Sequence, residues 1–233
     1  MINPAAPSED ARTGADMADP LPQRTAPDDQ MREYASLSQA SYDHTSKGYE
    51  AYGWQVTGGG DGLVTFQRAG EDGAPQYAVA YKGTSLSGPT AAADLGNDAV
   101  IVAGAEATGV GGFDENADFA KRYIDEVAGG DASKVTLTGH SLGGQKAIQA
   151  SRATGAKAVV YNPGVSPLSV ATFAASPGLS DVTIYHAKGD AISSSSLLLK
   201  PSDHVEVHTV HPGKQWGPWY VPLGSAHALS NFL

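Results

Sequence analysis

The stretch KVTLTGHSLGGQKAIQASRA runs from Lys134 to Ala153. Its first five residues, KVTLT, read as a short strand, with VTLT β-branched or apolar. Its last nine, QKAIQASRA, read as a helix. Between them stands Gly139-His140-Ser141-Leu142-Gly143-Gly144, which fits a strand–turn–helix elbow built around a serine. Gly139 and Gly143 carry no side chain, so neighbouring elements can approach closely there. The turn is sharp, and it lifts the Ser141 hydroxyl above the sheet, near the positive end of the following helix dipole. A glycine-rich turn with an incidental serine is the plain alternative.

Working outward, helical spacing begins at Asp29, with Met31, Tyr34, Leu37 and Ala40 or Ser41 on one face. LVTFQR (63–68) and YAVAYK (77–82) read as strands, and the EDGAP turn between them predicts an antiparallel hairpin. Phe119, Ala120, Tyr123, Ile124 and Val127 recur at helical spacing until Gly129-Gly130 ends the helix. AKAVVYN (156–162), VTIYHA (182–187) and VEVHTV (205–210) are further strands, and the terminal SAHALSNFL is helical or turn-like. A hairpin followed by strand–helix–strand units predicts an α/β protein with a mostly parallel sheet, and the elbow points to the α/β-hydrolase fold. Residues 1–28, rich in Pro, Ala, Asp and Ser, read as a disordered leader or linker. Residues 29–233 then form one catalytic domain.

A serine hydroxyl is a weak nucleophile and needs a general base, itself held by an acid. In this fold the chain order is Ser, acid, His. Five histidines follow Ser141: His186, His204, His208, His211 and His227. His186 and His208 fall inside strands, which suits structural roles. His204 and His211 sit at strand ends and stay open on spacing. His227 follows the last strand, where a loop can carry a base over the sheet edge, and is the candidate base. Asp190 follows VTIYHA at the carboxyl end of a strand, where open α/β sheets place their sites. Asp181 and Asp203 precede their strands and so lie at the wrong end. The backbone N–H of Leu142, next to the nucleophile, is a candidate oxyanion donor, and a second is expected from Gly83-Thr84 after strand YAVAYK.

The chain has no cysteine, which excludes disulfides, thiolate metal sites and a cysteine nucleophile. A formal net charge of −10 argues against nucleic acid as a partner and against attraction to an anionic membrane. No apolar run reaches the roughly 18 residues that cross a bilayer. The N-terminus shows no basic n-region and no apolar h-region, so no Sec-type signal peptide is expected.

These residues resemble the class 3 lipase family, the fungal-lipase-like α/β hydrolases that include phospholipases A1. The resemblance covers most of residues 35–233. Tyr81-Lys82-Gly83-Thr84-Ser85 resembles the family's oxyanion segment, Gly112-Phe113 its helix-opening pair, and GHSLGG its elbow. Asp94-Leu95-Gly96-Asn97-Asp98 is similar to its Asn/Asp-rich stretch, and Tyr161-Asn162-Pro163-Gly164 to its Gly/Pro-rich loop. Asp190-Ala191-Ile192 resembles the segment that supplies the acid, and His227-Ala228-Leu229 the one that supplies the base. The resemblance implies Thr84 as oxyanion residue and a mobile lid between Thr84 and Gly112, with Val100 and Ile101 in its short apolar run. It also implies hydrolysis of lipid or phospholipid acyl esters, with transient membrane-surface contact and neither metal nor cofactor. Lys82 stands where the family has arginine; the usual tryptophan is missing and the lid candidate is dominated by Ala and Gly rather than large apolar residues, which argues against strong interfacial activation; the family's disulfides are also absent. A cysteine-free domain behind such a leader is also similar to bacterial lipase effectors exported by specialised secretion systems. An esterase or thioesterase on soluble substrates is the alternative activity, and a non-catalytic binding module on the same fold is the alternative class.

Overall fold

The computed structural model describes residues 29–60, 62–83, 113–165, 181–190, 193, 204–211 and 227–233. The expectations for 1–28, Thr84, Val100, Ile101 and Asp203 lie outside these residues.

Helix α1 (Asp29–Tyr42) leads through a short 3-10 turn (Gly48–Tyr52) into three antiparallel strands, β1 (Gln55–Gly60), β2 (Leu63–Ala69) and β3 (Pro75–Tyr81). The expected hairpin is therefore one half of a three-stranded meander. Strand β1 has no counterpart in the sequence reading. Its residues, QVTGGG, are exposed throughout and offer no apolar alternation to read. Beyond β3 come α2 (Phe113–Val127), β4 (Val135–His140), α3 (Leu142–Thr154), β5 (Lys157–Tyr161), β6 (Val182–Ala187), β7 (Val205–Val210) and a terminal 3-10 turn (Leu229–Asn231). Strands β3 to β7 are all parallel, and the seven strands stand in the sheet in chain order. The chain is thus an α/β protein with a mixed, mostly parallel sheet.

Two boundaries move in a way that matters for the site. Strand β4 runs on through Gly139 and His140, and α3 begins at Leu142 rather than Gln145. Ser141 is left as the sole residue between strand and helix, so the turn is tighter than the six-residue gap from Gly139 to Gly144 implies.

Strand order dictates where the helices go. Crossovers between parallel neighbours keep one hand, so strands laid down in a single direction send their crossover helices to one face. Helices α2 and α3 do share a face: Ala120, Tyr123 and Ile124 pack with Ala147 and Ile148 onto Tyr77, Val79, Tyr81, Leu137, Val160 and Ile184. The opposite face, presented by the alternate residues Ala78, Ala80, Val159 and Tyr161, falls to α1 and the C-terminal Leu229 and Phe232. Helix α1 buries Ser38 as well as Met31 and Leu37. The Ser38 hydroxyl meets Thr138 Oγ1 at 2.9 Å, and Thr138 donates to the Val159 carbonyl at 2.7 Å, so neither hydroxyl is stranded. No helix among the described residues is long and apolar enough to cross a membrane.

Candidate active site

Strands β3, β4 and β6 all end on the same edge of the parallel sheet, and each delivers a candidate group there. At the end of β4, Ser141 adopts φ 57°, ψ −126°. A side-chain-bearing residue is rarely found at positive φ, and holding it there costs about 1–3 kcal/mol unless the surroundings over-determine it. They do so here. Ser141 N–H donates to the Tyr161 carbonyl of β5 at 3.1 Å, and its own carbonyl accepts from Gly164 N–H at 3.1 Å and Gln145 N–H at 3.2 Å. The glycines allow the close approach. A Cβ on Gly139 would stand 2.4 Å from the Gly143 carbonyl, and one on Gly143 would stand 2.2 Å from the Tyr81 carbonyl. Strand β3, strand β4 and the start of α3 are therefore in backbone-to-backbone contact. Leu142 N–H, in the first turn of α3, has no intrahelical acceptor and points out of the helix N-terminus.

At the end of β6, Lys188 and Gly189 turn the chain, with Gly189 at φ 91°, and Asp190 N–H closes onto the Ala187 carbonyl at 3.1 Å. The Asp190 side chain is buried, and its Oδ2 lies 2.8 Å from His227 Nδ1. An ionised carboxylate only accepts, so this contact puts the imidazole proton on Nδ1 and leaves the Nε2 lone pair outward. His227 Nε2 is buried and has no hydrogen-bond partner among the described residues. No hydrogen bond joins it to Ser141 Oγ, so the nucleophile–base contact that general-base chemistry uses would have to form with substrate bound. The segment carrying His227 is anchored by its own sequel: Leu229 and Phe232 are buried, and Phe232 packs on the Tyr161 ring at 5.1 Å.

His140 joins the elbow to His227. Its ring lies 4.8 Å from that of His227, and its Nε2 donates to the His227 carbonyl at 2.5 Å. Burial, reinforced by the neighbouring His227, pushes the His140 pKa down to about 3, so the ring is neutral. Tyr42, the last residue of α1, donates to the His140 carbonyl at 3.1 Å and accepts Gly83 N–H at 3.0 Å. Burial raises the Tyr42 pKa above its ordinary value, which keeps this hydroxyl protonated. The Gly83 N–H is thereby committed to Tyr42, which ties the end of β3 to the elbow.

The structure thus brings Asp190 and His227 together beside the elbow of Ser141. Asp181 is exposed at the opposite end of β6, and His208 lies in β7 stacked on Tyr185 at 5.2 Å. His204 and His211 flank β7, where the His204 carbonyl accepts Val182 N–H. The elbow motif already names His140, but not its contacts with Tyr42, 98 residues away, and with His227. Tyr42 and Ser193 carry no sequence signal strong enough to find them. Asn162 leaves a trace, as an Asn-Pro turn. It sits at φ 40°, and its Oδ1 accepts Ala187 N–H at 2.8 Å. No protein-family model matches the chain, and a search of curated proteins returns no significant match.

Proposed function

We propose that this chain is a serine carboxylic-ester hydrolase of the α/β-hydrolase type, acting on acyl esters of lipids as a lipase or phospholipase A1. The observation that carries the reading is the coincidence of a positive-φ Ser141 at a strand–helix elbow with a buried Asp190–His227 pair whose Nε2 has no hydrogen-bond partner among the described residues. A structural histidine buried at this cost would have both ring nitrogens satisfied.

In this scheme Ser141 Oγ attacks the ester carbonyl carbon while His227 Nε2 takes the hydroxyl proton. Asp190 keeps the imidazole in the required tautomer and stabilises the imidazolium. Negative charge on the former carbonyl oxygen falls to Leu142 N–H and to Thr84, each such donor contributing about 3–4 kcal/mol to the transition state. The C–O bond to the alcohol breaks, and His227 returns its proton to the departing oxygen. A water then enters, loses a proton to His227 Nε2 and cleaves the acyl-serine to release the fatty acid and restore Ser141.

The lipid part of the reading rests on the resemblance of the elbow, oxyanion, acid and base segments to class 3 lipases. The chain's acidity favours zwitterionic or neutral head groups over strongly anionic ones. Two measurements test it. A fluorophosphonate probe and p-nitrophenyl butyrate should label and be turned over by the wild-type chain and not by Ser141→Ala. Labelling at another serine overturns the assignment. Mass spectrometry of phosphatidylcholine vesicles should then show free fatty acid. Butyrate turnover without fatty-acid release would replace the lipase reading with a soluble esterase or thioesterase.

A further inference from the structure

Beneath the Asp190–His227 pair lies a run of buried polar groups that ester cleavage as written above does not use. Ser193 is fully buried, and its Oγ lies 2.5 Å from Asp190 Oδ2, the same oxygen that takes the His227 Nδ1 proton. On its other side, His186 Nδ1 stands 2.6 Å away and Asn162 Oδ1 3.4 Å away.

The proton count decides the direction of every contact. A hydroxyl has one proton, and an ionised carboxylate has none to give. The close Ser193–Asp190 contact therefore takes the Ser193 proton, since the carboxylate has none to supply and lies nearer than Asn162 Oδ1. The close contact with His186 then requires the imidazole to donate, from Nδ1–H into a Ser193 lone pair. His186 is buried on β6, and burial drives its pKa downward, so one proton on one nitrogen is its resting state. Asn162 Oδ1 is already engaged by Ala187 N–H at 2.8 Å. The donors line up as His186 to Ser193 to Asp190, meeting the donation from His227 on the same oxygen.

We propose that Ser193 and His186 are positioning residues for the ester cleavage, a buried donor chain that holds Asp190 Oδ2 on the His227 Nδ1–H axis. The carboxylate is attached through a side chain with two free torsions. The Ser193 hydroxyl constrains it at the same oxygen that His227 uses, and His186 constrains the hydroxyl rotor in turn. This rests on the hydrolase reading of Ser141, Asp190 and His227, and its test separates the two.

The experiment compares wild type with Ser193→Ala and Ser193→Cys on p-nitrophenyl butyrate. In parallel it follows the low-field His227 Nδ1 proton by NMR of histidine-labelled protein, assigned by its loss in His227→Ala. Cysteine keeps the side-chain volume and supplies only a weak donor, so it serves as well if the alanine variant does not fold. Losing one charge-assisted hydrogen bond predicts a kcat lower by about 30-fold in both variants with KM nearly unchanged. The Nδ1 proton should move upfield in both. A packing role predicts the opposite split, with Ser193→Cys close to wild type in kcat and in the resonance, and that result overturns the proposal. A wild-type chain that turns over no ester would overturn the hydrolase reading, and the resonance would then judge the donor chain alone.

Discussion

Gly139→Ala isolates how tightly the elbow is built. The added Cβ would lie 2.4 Å from both the carbonyl carbon and oxygen of Gly143 and 2.8 Å from Gly144 N. Carbon contacts settle at about 3.5–4.0 Å, so strand β4 and the first turn of α3 would have to part by about 1 Å. Neither side is free to move. Gly139 is paired to Tyr81 of β3 on one side and to Val160 of β5 on the other. The helix start is held against the Tyr81 carbonyl through Gly143. Overpacking commonly costs about 1–3 kcal/mol, and a clash that is backbone on both sides belongs at about 3 kcal/mol. For a domain of this size that lowers Tm by about 6–12 °C. Displacing the Leu142 N–H by about 1 Å should also lower kcat by about 100-fold. Differential scanning calorimetry and esterase kinetics measure the two effects. Gly155→Ala is the control: it has φ 78° with nothing within 4 Å of a Cβ, and should lose only about 1–2 kcal/mol to left-handed strain, with kcat unchanged. A Gly139→Ala chain that melts within about 2 °C of wild type would refute the argument that the elbow is closed by backbone contact.

Ser141→Gly should remove fluorophosphonate labelling and still raise stability by about 1 kcal/mol in urea titration, because relief of positive-φ strain exceeds the entropy glycine adds to the unfolded chain. A destabilised glycine variant would mean the turn carries no strain. Asp190→Asn should lower kcat by about 10⁴, since the amide favours the wrong His227 tautomer, whereas Asp181→Asn, exposed at the other end of β6, should leave kcat unchanged. Equal losses would refute the strand-end argument. His140 is held neutral, with a folded pKa of about 3 against about 6.5 unfolded, so between these pH values the unfolded chain binds the extra proton and stability falls as pH falls. At pH 5 the wild type should have lost about 2 kcal/mol to this group alone, and His140→Gln, which keeps a donor for the His227 carbonyl, should show a correspondingly flatter stability curve. Parallel curves for the two proteins would show that His140 is not the neutral, buried group described.

What the sequence determined by itself was whatever is encoded within a turn or two of chain. Residues 134–153 carry strand, serine turn and helix in one local pattern, and they fold as such because β-branched residues, glycines and a helix-forming run follow each other without competing signals. Alternation in 63–68 and 77–82 specified the hairpin for the same reason, while the glycine-rich β1 was invisible because it presents no buried face to alternate. Chain order and strand-end position were enough to nominate Asp190 and His227 among the later acids and histidines. Only the tertiary structure decided that these two side chains meet at 2.8 Å, that His140 is neutral and clasps the His227 backbone, and that Tyr42 ties Gly83 to the elbow. It also decided the direction of donation through Ser193. Those outcomes depend on which proton faces which lone pair once segments as many as 98 residues apart are buried together. A buried polar group must find a partner wherever the packing places one, and no local pattern records which partner that is.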